Sequence, residues 1–359
     1  MQPPSTSPPA PSPRASGGST GQRAVDMIAL VFERVAESLE QVERALHGQL
    51  DSEAPLIAAI GDHVFDSGGK RLRPALLCLA AELCGYTGPR RIQIAAALEL
   101  IHTATLLHDD VVDLATVRRG KPAAHVVWGN KRSILAGDFL YARASTMIVE
   151  DGSAEILRIF TSCIQAMSEG ELLQLERSFD VDAPESHYYK VIERKSATLL
   201  SAAGECGAVV ASVTRAEQRR LAEYGRELGL AFQIRDDALD YEADERALGK
   251  HRYTDLREGK VTLPLLLTLK RCTTAEREMV AALLKDVAAD ALQLGEAERP
   301  AEDFAGVLEL VHRYRGVEDT IRRAEEHVAR ATAAIAPYAD GPPKQAMLAA
   351  AAFAVARDR

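Results

Sequence analysis

From Arg23 onward, the pattern of apolar and polar positions is that of helices. Ala, Leu, Glu and Arg dominate, and all are good helix formers. Gly and Pro fall in short clusters, at Gly68-Gly69, Gly85 to Pro89, Gly129, Gly249 and Gly341 to Pro343. These clusters punctuate the helical text. No run of alternating Val, Ile and Thr bounded by turns is present, so no sheet is predicted. Two stretches are apolar all round, 94–108 (IAAALELIHTATLLH) and 228–234 (LGLAFQI), and read as buried core helices. No Pro/Ser-rich linker divides the remainder. The prediction is a single all-α domain over 23–359, with about ten helices or more.

Each apolar stretch runs into an acidic cluster of the same form, DDxxD. The first is Asp109-Asp110-Val-Val-Asp113 and the second is Asp236-Asp237-Ala-Leu-Asp240. On a helix, positions i and i+4 share a face, so Asp109 pairs with Asp113 and Asp236 with Asp240. Like charges at that spacing destabilise a helix by about 0.2–0.5 kcal/mol per pair. An ordinary acidic face is solvated, but these two follow buried runs. Carboxylates at the end of a buried helix need partners, and near its C-terminal end the helix dipole also disfavours them. A hard divalent cation relieves both penalties. Mg²⁺ is the usual choice where one or two carboxylates share it with substrate phosphates.

The composition narrows the class. Forty-seven per cent hydrophobic residues in 359 allow a large core, and the net charge of −9 argues against general nucleic-acid binding. Cys78, Cys84, Cys163, Cys206 and Cys272 form no CxxC pair and mostly lie in apolar stretches. They read as reduced core residues of a cytoplasmic protein. Residues 1–22 are rich in Pro, Ser, Gly and Thr and lack an apolar h-region. They read as a disordered tail, not a secretory signal. No stretch is apolar for long enough to suggest a transmembrane helix.

Basic residues alternate with the acidic clusters. Lys70 and Arg73 stand at i and i+3 in GGKRLRP, near the predicted start of a helix, where an anion is favoured. Arg118-Arg119-Gly120 follows the first acidic cluster, and arginine forks match phosphate oxygens bidentately. Gly249-Lys250 and then Asp255-Leu-Arg-Glu-Gly259-Lys260 follow the second. Any one of these is an ordinary surface feature. Together they suggest two phosphate sites, one metal-mediated and one purely cationic.

Taken in order, GGKRLRP, LLHDDVVD, RRG, FQIRDDALDY and GKxxxxDLREGKVTLPL resemble the trans-polyprenyl diphosphate synthase family across roughly residues 25–359. IHTATLLHDDVVD and the ending AVARDR look most like its octaprenyl members. The resemblance implies an antiparallel all-α bundle around a central cavity, the isoprenoid synthase fold, usually as a homodimer. It implies that an allylic diphosphate binds through three Mg²⁺ ions, two on Asp109 and Asp113 and one on Asp236, with Asp240 in support. Arg118, Lys195, Lys250 and Lys260 would neutralise the departing diphosphate, an electrostatic stabilisation of a charge-separated transition state. Isopentenyl diphosphate would sit on Lys70, Arg73, His102 and Arg119 without metal. Its double bond attacks the allylic cation, and the departing diphosphate takes the proton. Ser196 and Gln233 match further positions around the allylic substrate, Ser196 standing where threonine is common. His102 lies two helical turns before Asp109 and shares its face. His108 reads as structural. Arg235 stands where an aliphatic residue is common, to pair with Asp236 or Glu242 or to face solvent.

A growing chain would run down the first acidic helix past Thr105, Ala104 and Ile101, the positions four, five and eight before Asp109. Ala104 and Thr105 are small, so the tunnel should stay open past them. The expected product is about eight isoprene units, within about six to ten, a precursor of quinone side chains. A short-chain synthase is the alternative within the same chemistry. A terpene cyclase would carry a different second metal motif and would not need GGKRLRP. A non-catalytic subunit of a heteromeric synthase would be expected to lose acidic ligands that this chain keeps.

Overall fold

The computed structural model describes residues 20–242, 253–294 and 301–357. Lys250, and most of the stretch whose composition reads as tail, lie outside them. The first helix, α1 (Thr20–His47), begins within the last three residues of the stretch whose composition reads as tail. It buries Val31, Val35, Val42 and Leu46, a stripe with helical spacing.

The chain continues through α2 (Pro55–Phe65), α3 (Leu72–Leu83) and α4 (Arg90–Val112), then α5 (Ala124–Trp128), α6 (Asn130–Asp151) and α7 (Ala154–Glu176). After α8 (Glu185–Ile192) the backbone widens into a π turn, Glu193–Ala197, and re-enters α9 (Thr198–Val210). α10 (Arg215–Glu242) is followed by α11 (Thr254–Arg257), α12 (Leu263–Leu269), α13 (Thr274–Leu294), α14 (Ala305–Arg313), α15 (Gly316–Ile335) and α16 (Pro342–Ala356). The fold is an antiparallel all-α bundle, as the helical text predicts.

One element departs from the expectation of no sheet. Val117–Arg118 and Lys121–Pro122 pair as a two-stranded antiparallel hairpin, with Val117 opposite Pro122. Its turn residues Arg119 and Gly120 both have positive φ, +51° and +78°. That is the turn geometry whose twist suits a two-residue hairpin loop. Strands this short leave no alternation to read in the sequence. The hairpin sends Arg118 and Arg119 to different neighbours.

The core is built around α3, α4, α9 and α10. Most of α4 is buried, from Ile92 through Leu107, which explains a run that is apolar all round. α10 packs mainly on α9 and α15, and α4 on α6. The α9–α10 approach depends on small residues. A Cβ on Gly225 would stand 2.1 Å from the Leu200 carbonyl oxygen, a distance no side chain tolerates. A smaller second core holds Val280 and Leu284 of α13 against Val307 and Leu310 of α14 and Phe304, the residue that caps α14.

One ion cluster is buried between α10 and α15. Glu227 is 1% exposed and is bonded to His327 Nδ1 at 2.6 Å and Arg330 Nε at 2.8 Å, with Arg226 alongside. Burial pushes the Glu227 carboxyl up, but His327, Arg330 and Arg226 outweigh it and hold it down to about 2. This lies below its unfolded value of 4.5. The cluster therefore stabilises the fold above that value, and the contribution fades as pH falls towards about 2. Glu227→Gln should cost about 3 kcal/mol at neutral pH, because it leaves its partners uncompensated. Urea unfolding should find that deficit much smaller near pH 3 than near pH 7. An equal deficit at both would exclude the ion cluster as its source.

Candidate active site

The first acidic cluster closes α4. Asp109 and Asp110 lie in its last turn and Asp113 is its C-cap, its N–H donating to the Asp109 carbonyl at 2.7 Å. The negative end of the helix dipole thus meets three carboxylates. They divide by partner. Asp110 is buried and turned to Arg118, whose Nε donates to it at 2.7 Å and whose Nη2 also reaches it. Asp109 and Asp113 are left one turn apart on the other face. Burial, with Glu171 and Asp113, pushes Asp109 up to about 6 against the pull of Lys195 and Arg118. Asp113 lies 3.9 Å from Lys260 Nζ.

Lys195 and Ser196 sit on the π turn, which takes their side chains off the path of a regular helix. Such turns recur at functional sites. Gly170 of α7 makes the close fit possible, since a Cβ there would lie 2.7 Å from the Lys195 amide nitrogen. Lys195 Nζ bonds Glu171 at 2.6 Å and Gln174 Oε1 at 3.4 Å. Neither Glu171 nor Gln174 was among the residues expected from sequence. A carboxylate and an amide on an ordinary helix carry no signature until α7 is packed against the π turn.

The second cluster closes α10 in the same way. Asp236 is half exposed and pairs with Arg357 Nη2 at 2.7 Å. Asp240 accepts from the N–H groups of Thr254 and Asp255, at 3.1 and 3.2 Å. Asp237 is buried and accepts from Tyr188 at 2.6 Å and Gln233 at 2.8 Å, and Ser196 in turn donates to Gln233 Oε1 at 2.7 Å. Burial pushes Asp237 up to about 7 against the pull of Tyr188 and Gln233. Asp255 is pushed well up by burial, Asp240 and Asp237. It stands inside the GKxxxxDLREGK motif, so the signal was present without a role attached. Lys260 joins the two clusters. Burial opposes its charge, but Glu258, Asp113 and Asp255 outweigh that and raise its pKa. Arg235 pairs with Glu242 at 2.6 Å and with the Arg357 carbonyl, not with Asp236.

The cationic residues gather on the far side of Arg118. Arg71, the residue before α3, takes a left-handed backbone at φ +43° and is bonded to Glu43 at 2.5 Å, Glu99 at 3.0 Å and the Phe65 carbonyl at 3.2 Å. It is a structural arginine. Glu99, an acid inside the apolar 94–108 run, was its sequence signal, because a buried carboxylate requires a cation. Arg73 is different. Its Nε is buried without a hydrogen-bond partner, and burial and Arg119 lower its pKa. Arg119 reaches the Gly68 carbonyl. His102 is driven well down by burial and by Arg73, Arg119, Arg118 and Arg71. Lys70 Nζ stands 4.8 Å over the Phe353 ring. So much cation density around an orphaned donor fits an anion. Lys250 lies outside the described residues.

Below Asp109, α4 presents Thr105, Ala104 and Ile101. Ala104 and Ile101 are buried, and the Thr105 hydroxyl is committed to the His102 carbonyl at 2.8 Å. His108 contacts the Ile134 carbonyl at 3.1 Å over Gly137.

Among the described residues, no three His, Cys, Asp or Glu side chains close a metal cage by themselves. The donor set still fits a hard cation that completes its shell with substrate phosphates. Asp109 and Asp113 are paired oxygen donors, and burial penalises the Asp109 anion until positive charge arrives.

Acidic ends of two core helices, lysines between them and a separate arginine cluster make one strongly charged centre in an otherwise apolar helical bundle. The chain belongs to the polyprenyl synthetase family, whose sequence profile matches residues 54–298. It is 41% identical over 329 residues to the octaprenyl diphosphate synthase of Escherichia coli, covering 92% of this chain and 98% of that protein. Among solved structures it resembles a polyprenyl synthase of Caulobacter crescentus complexed with calcium and isoprenyl diphosphate (TM-score 0.86, 39% identity, 92% and 98% of the two chains). A decaprenyl diphosphate synthase of Rhodobacter capsulatus gives TM-score 0.85 at 35% identity, again over 92% and 98% of the chains.

Asp109→Ala and Asp236→Ala should each lower turnover by about a thousandfold through lost charge stabilisation. Their thermal midpoints should hold, since carboxylate repulsion is relieved. Turnover near that of the parent protein in either variant would remove that residue from the metal face.

Proposed function

We propose that this protein is a long-chain all-trans polyprenyl diphosphate synthase. It condenses isopentenyl diphosphate head-to-tail onto an allylic diphosphate and stops near the octaprenyl stage. The observation that carries this reading is the division of charge in the site. Paired carboxylates with lysines stand at one end, and Arg73, its Nε without a partner, lies in a cluster of cationic side chains at the other. Two diphosphates with different needs match that division.

The allylic diphosphate lies between the acidic helix ends, where Asp109, Asp113 and Asp236, with Asp240 in support, would hold Mg²⁺, three ions as in the family pattern. When bound, Mg²⁺ neutralises the charge that builds on the leaving diphosphate. Lys195, Lys260, Arg118 and Lys250 add to that neutralisation from the protein side. Lys195 and Lys260 exchange their carboxylate partners for phosphate oxygens. Arg118 keeps Asp110 and presents its remaining N–H groups. Isopentenyl diphosphate sits on Lys70, Arg73, His102 and Arg119. The bond between the first allylic carbon and oxygen breaks, and its electron pair leaves with the diphosphate. The isopentenyl double bond supplies the pair for the new carbon–carbon bond. A proton lost from the adjacent carbon to the diphosphate restores a double bond, and the product is an allylic diphosphate one unit longer.

Small side chains at Ala104 and Thr105 support a long product. A precursor of quinone side chains is its natural use. The tail and a single catalytic domain remain the proposed division of the chain.

A homodimer is supported by α6, which leaves Leu135 64% and Val149 62% exposed, with Ile134 and Tyr141 beside them. Such a large apolar face on a soluble surface marks an association site. A cytoplasmic location is supported by five free cysteines, three of them buried. Among the described residues, no helix is long and apolar enough to cross a membrane.

Incubation with Mg²⁺, farnesyl diphosphate and labelled isopentenyl diphosphate should give a ladder ending near eight units, read by chromatography after dephosphorylation. Ala104→Phe should end the ladder several units earlier. No incorporation with any primer would defeat the reading in favour of a subunit that needs a partner. A parent ladder ending at three or four units would keep the chemistry and favour a short-chain synthase. Leu135→Glu with Tyr141→Glu should sediment as a monomer where the parent protein is a dimer. An unchanged sedimentation coefficient would place the interface elsewhere.

A further inference from the structure

We infer that Tyr188 is a positioning residue, which acts through Asp237 and Gln233 to fix the direction in which the Ser196 hydroxyl points. The inference deepens the prenyl-transfer reading and rests on it.

Four side chains from three elements form one buried relay. Tyr188 Oη donates to Asp237 Oδ2 at 2.6 Å, and Gln233 Nε2 donates to Asp237 Oδ1 at 2.8 Å. Ser196 Oγ donates to Gln233 Oε1 at 2.7 Å. Tyr188 and Asp237 are buried, 6% and 3% exposed. With Asp237 ionised the relay has one polarity: the carboxylate offers acceptors only, and Tyr188 and Gln233 both donate to it. Gln233 therefore turns its NH₂ to Asp237 and its oxygen to Ser196. The single O–H of Ser196 is spent on that oxygen, and only lone pairs remain for the cavity. That cavity, about 170 Å³, has Lys195, Ser196, Gln233 and Lys260 in its lining, together with Tyr188 and Asp237 of the relay itself.

Lone pairs facing an allylic carbon that is losing an anion stabilise its positive charge, whereas an O–H turned outward opposes it. A dipole already aimed before the bond breaks needs no reorganisation during the step. Tyr188 supplies the aim. Its bond locks one carboxylate oxygen, which keeps the other on the Gln233 amide and stops the amide from turning over. The ring is held independently of its hydroxyl, edge-on to Tyr189 at 5.5 Å, so Tyr188→Phe keeps the packing. Nothing in the sequence marks Tyr188 for this role. It precedes Lys195 by seven residues across a helix and a π turn, and only the packing of the π turn on α10, with α8 leading into it, brings it to Asp237.

The test is steady-state kinetics of Tyr188→Phe, Ser196→Ala, the double variant and Ser196→Thr, with farnesyl and isopentenyl diphosphates and Mg²⁺. Tyr188→Phe should lower kcat roughly tenfold and leave both KM values within about twofold, since aim and not binding is lost. The double variant should be no slower than Ser196→Ala, because Tyr188 acts only through that hydroxyl. Ser196→Thr should restore activity and with it the dependence on Tyr188. An unchanged kcat in Tyr188→Phe overturns the inference. So does a loss that adds to that of Ser196→Ala, or one that appears with a lowered thermal midpoint and a raised KM, because each marks a merely structural tyrosine. Absence of turnover in the parent protein with every primer would sink the prenyl-transfer reading and this inference with it. Normal parent turnover with an unaffected Tyr188→Phe would sink the inference alone.

Discussion

The structure depends on holding unbalanced charge inside an apolar bundle. Both acidic clusters sit at the C-terminal ends of buried helices, where burial, mutual repulsion and the helix dipole all oppose the anions. Burial and neighbouring carboxylates raise Asp109 to about 6 and Asp237 to about 7. Arg73 and Arg119 meet the same burial penalty with the opposite sign. A bundle whose remaining interior is closely packed can carry these penalties. The α9–α10 contact through Gly225 shows how little slack that packing leaves.

Charges that brace the bundle around the site are paired, and those proposed to bind the diphosphates are left partly open. Asp110 takes Arg118, Glu99 and Glu43 take Arg71, and Glu242 takes Arg235. Asp237 is shared between Tyr188 and Gln233. These bonds orient the elements that present Asp109, Asp113, Lys195, Lys260 and Arg73. Adjacent residues of one motif thereby take opposite duties: Asp109 faces the lysines while Asp110 braces the hairpin. Arg71 and Arg73 divide in the same manner two residues apart. A carboxylate or guanidinium with a complete set of partners holds its neighbours in place, and one without them has capacity left for a ligand.

The all-α architecture was legible because helix formers and apolar runs persist from Arg23 to the end. Burial of α4 followed from a run apolar on every face. The two DDxxD clusters were legible because i, i+4 spacing puts both outer aspartates on one face whatever the helix packs against. The Arg118–Lys121 hairpin was not, because two-residue strands carry no periodicity. Glu171, Gln174 and Tyr188 were not, because each is an ordinary residue on an ordinary helix.

The sequence alone determined local matters: which stretches are helices, which are buried, and which residues share a helical face. These depend on spacing within one element. The tertiary structure alone decided which charge meets which: Arg118 with Asp110, Lys195 with Glu171, Lys260 with Asp113, and Tyr188 with Asp237. Those pairings join residues on different elements, and their geometry follows from how the helices pack. Electrostatic interactions act over a few ångströms of space, not along the chain, so no pattern within a single segment encodes them.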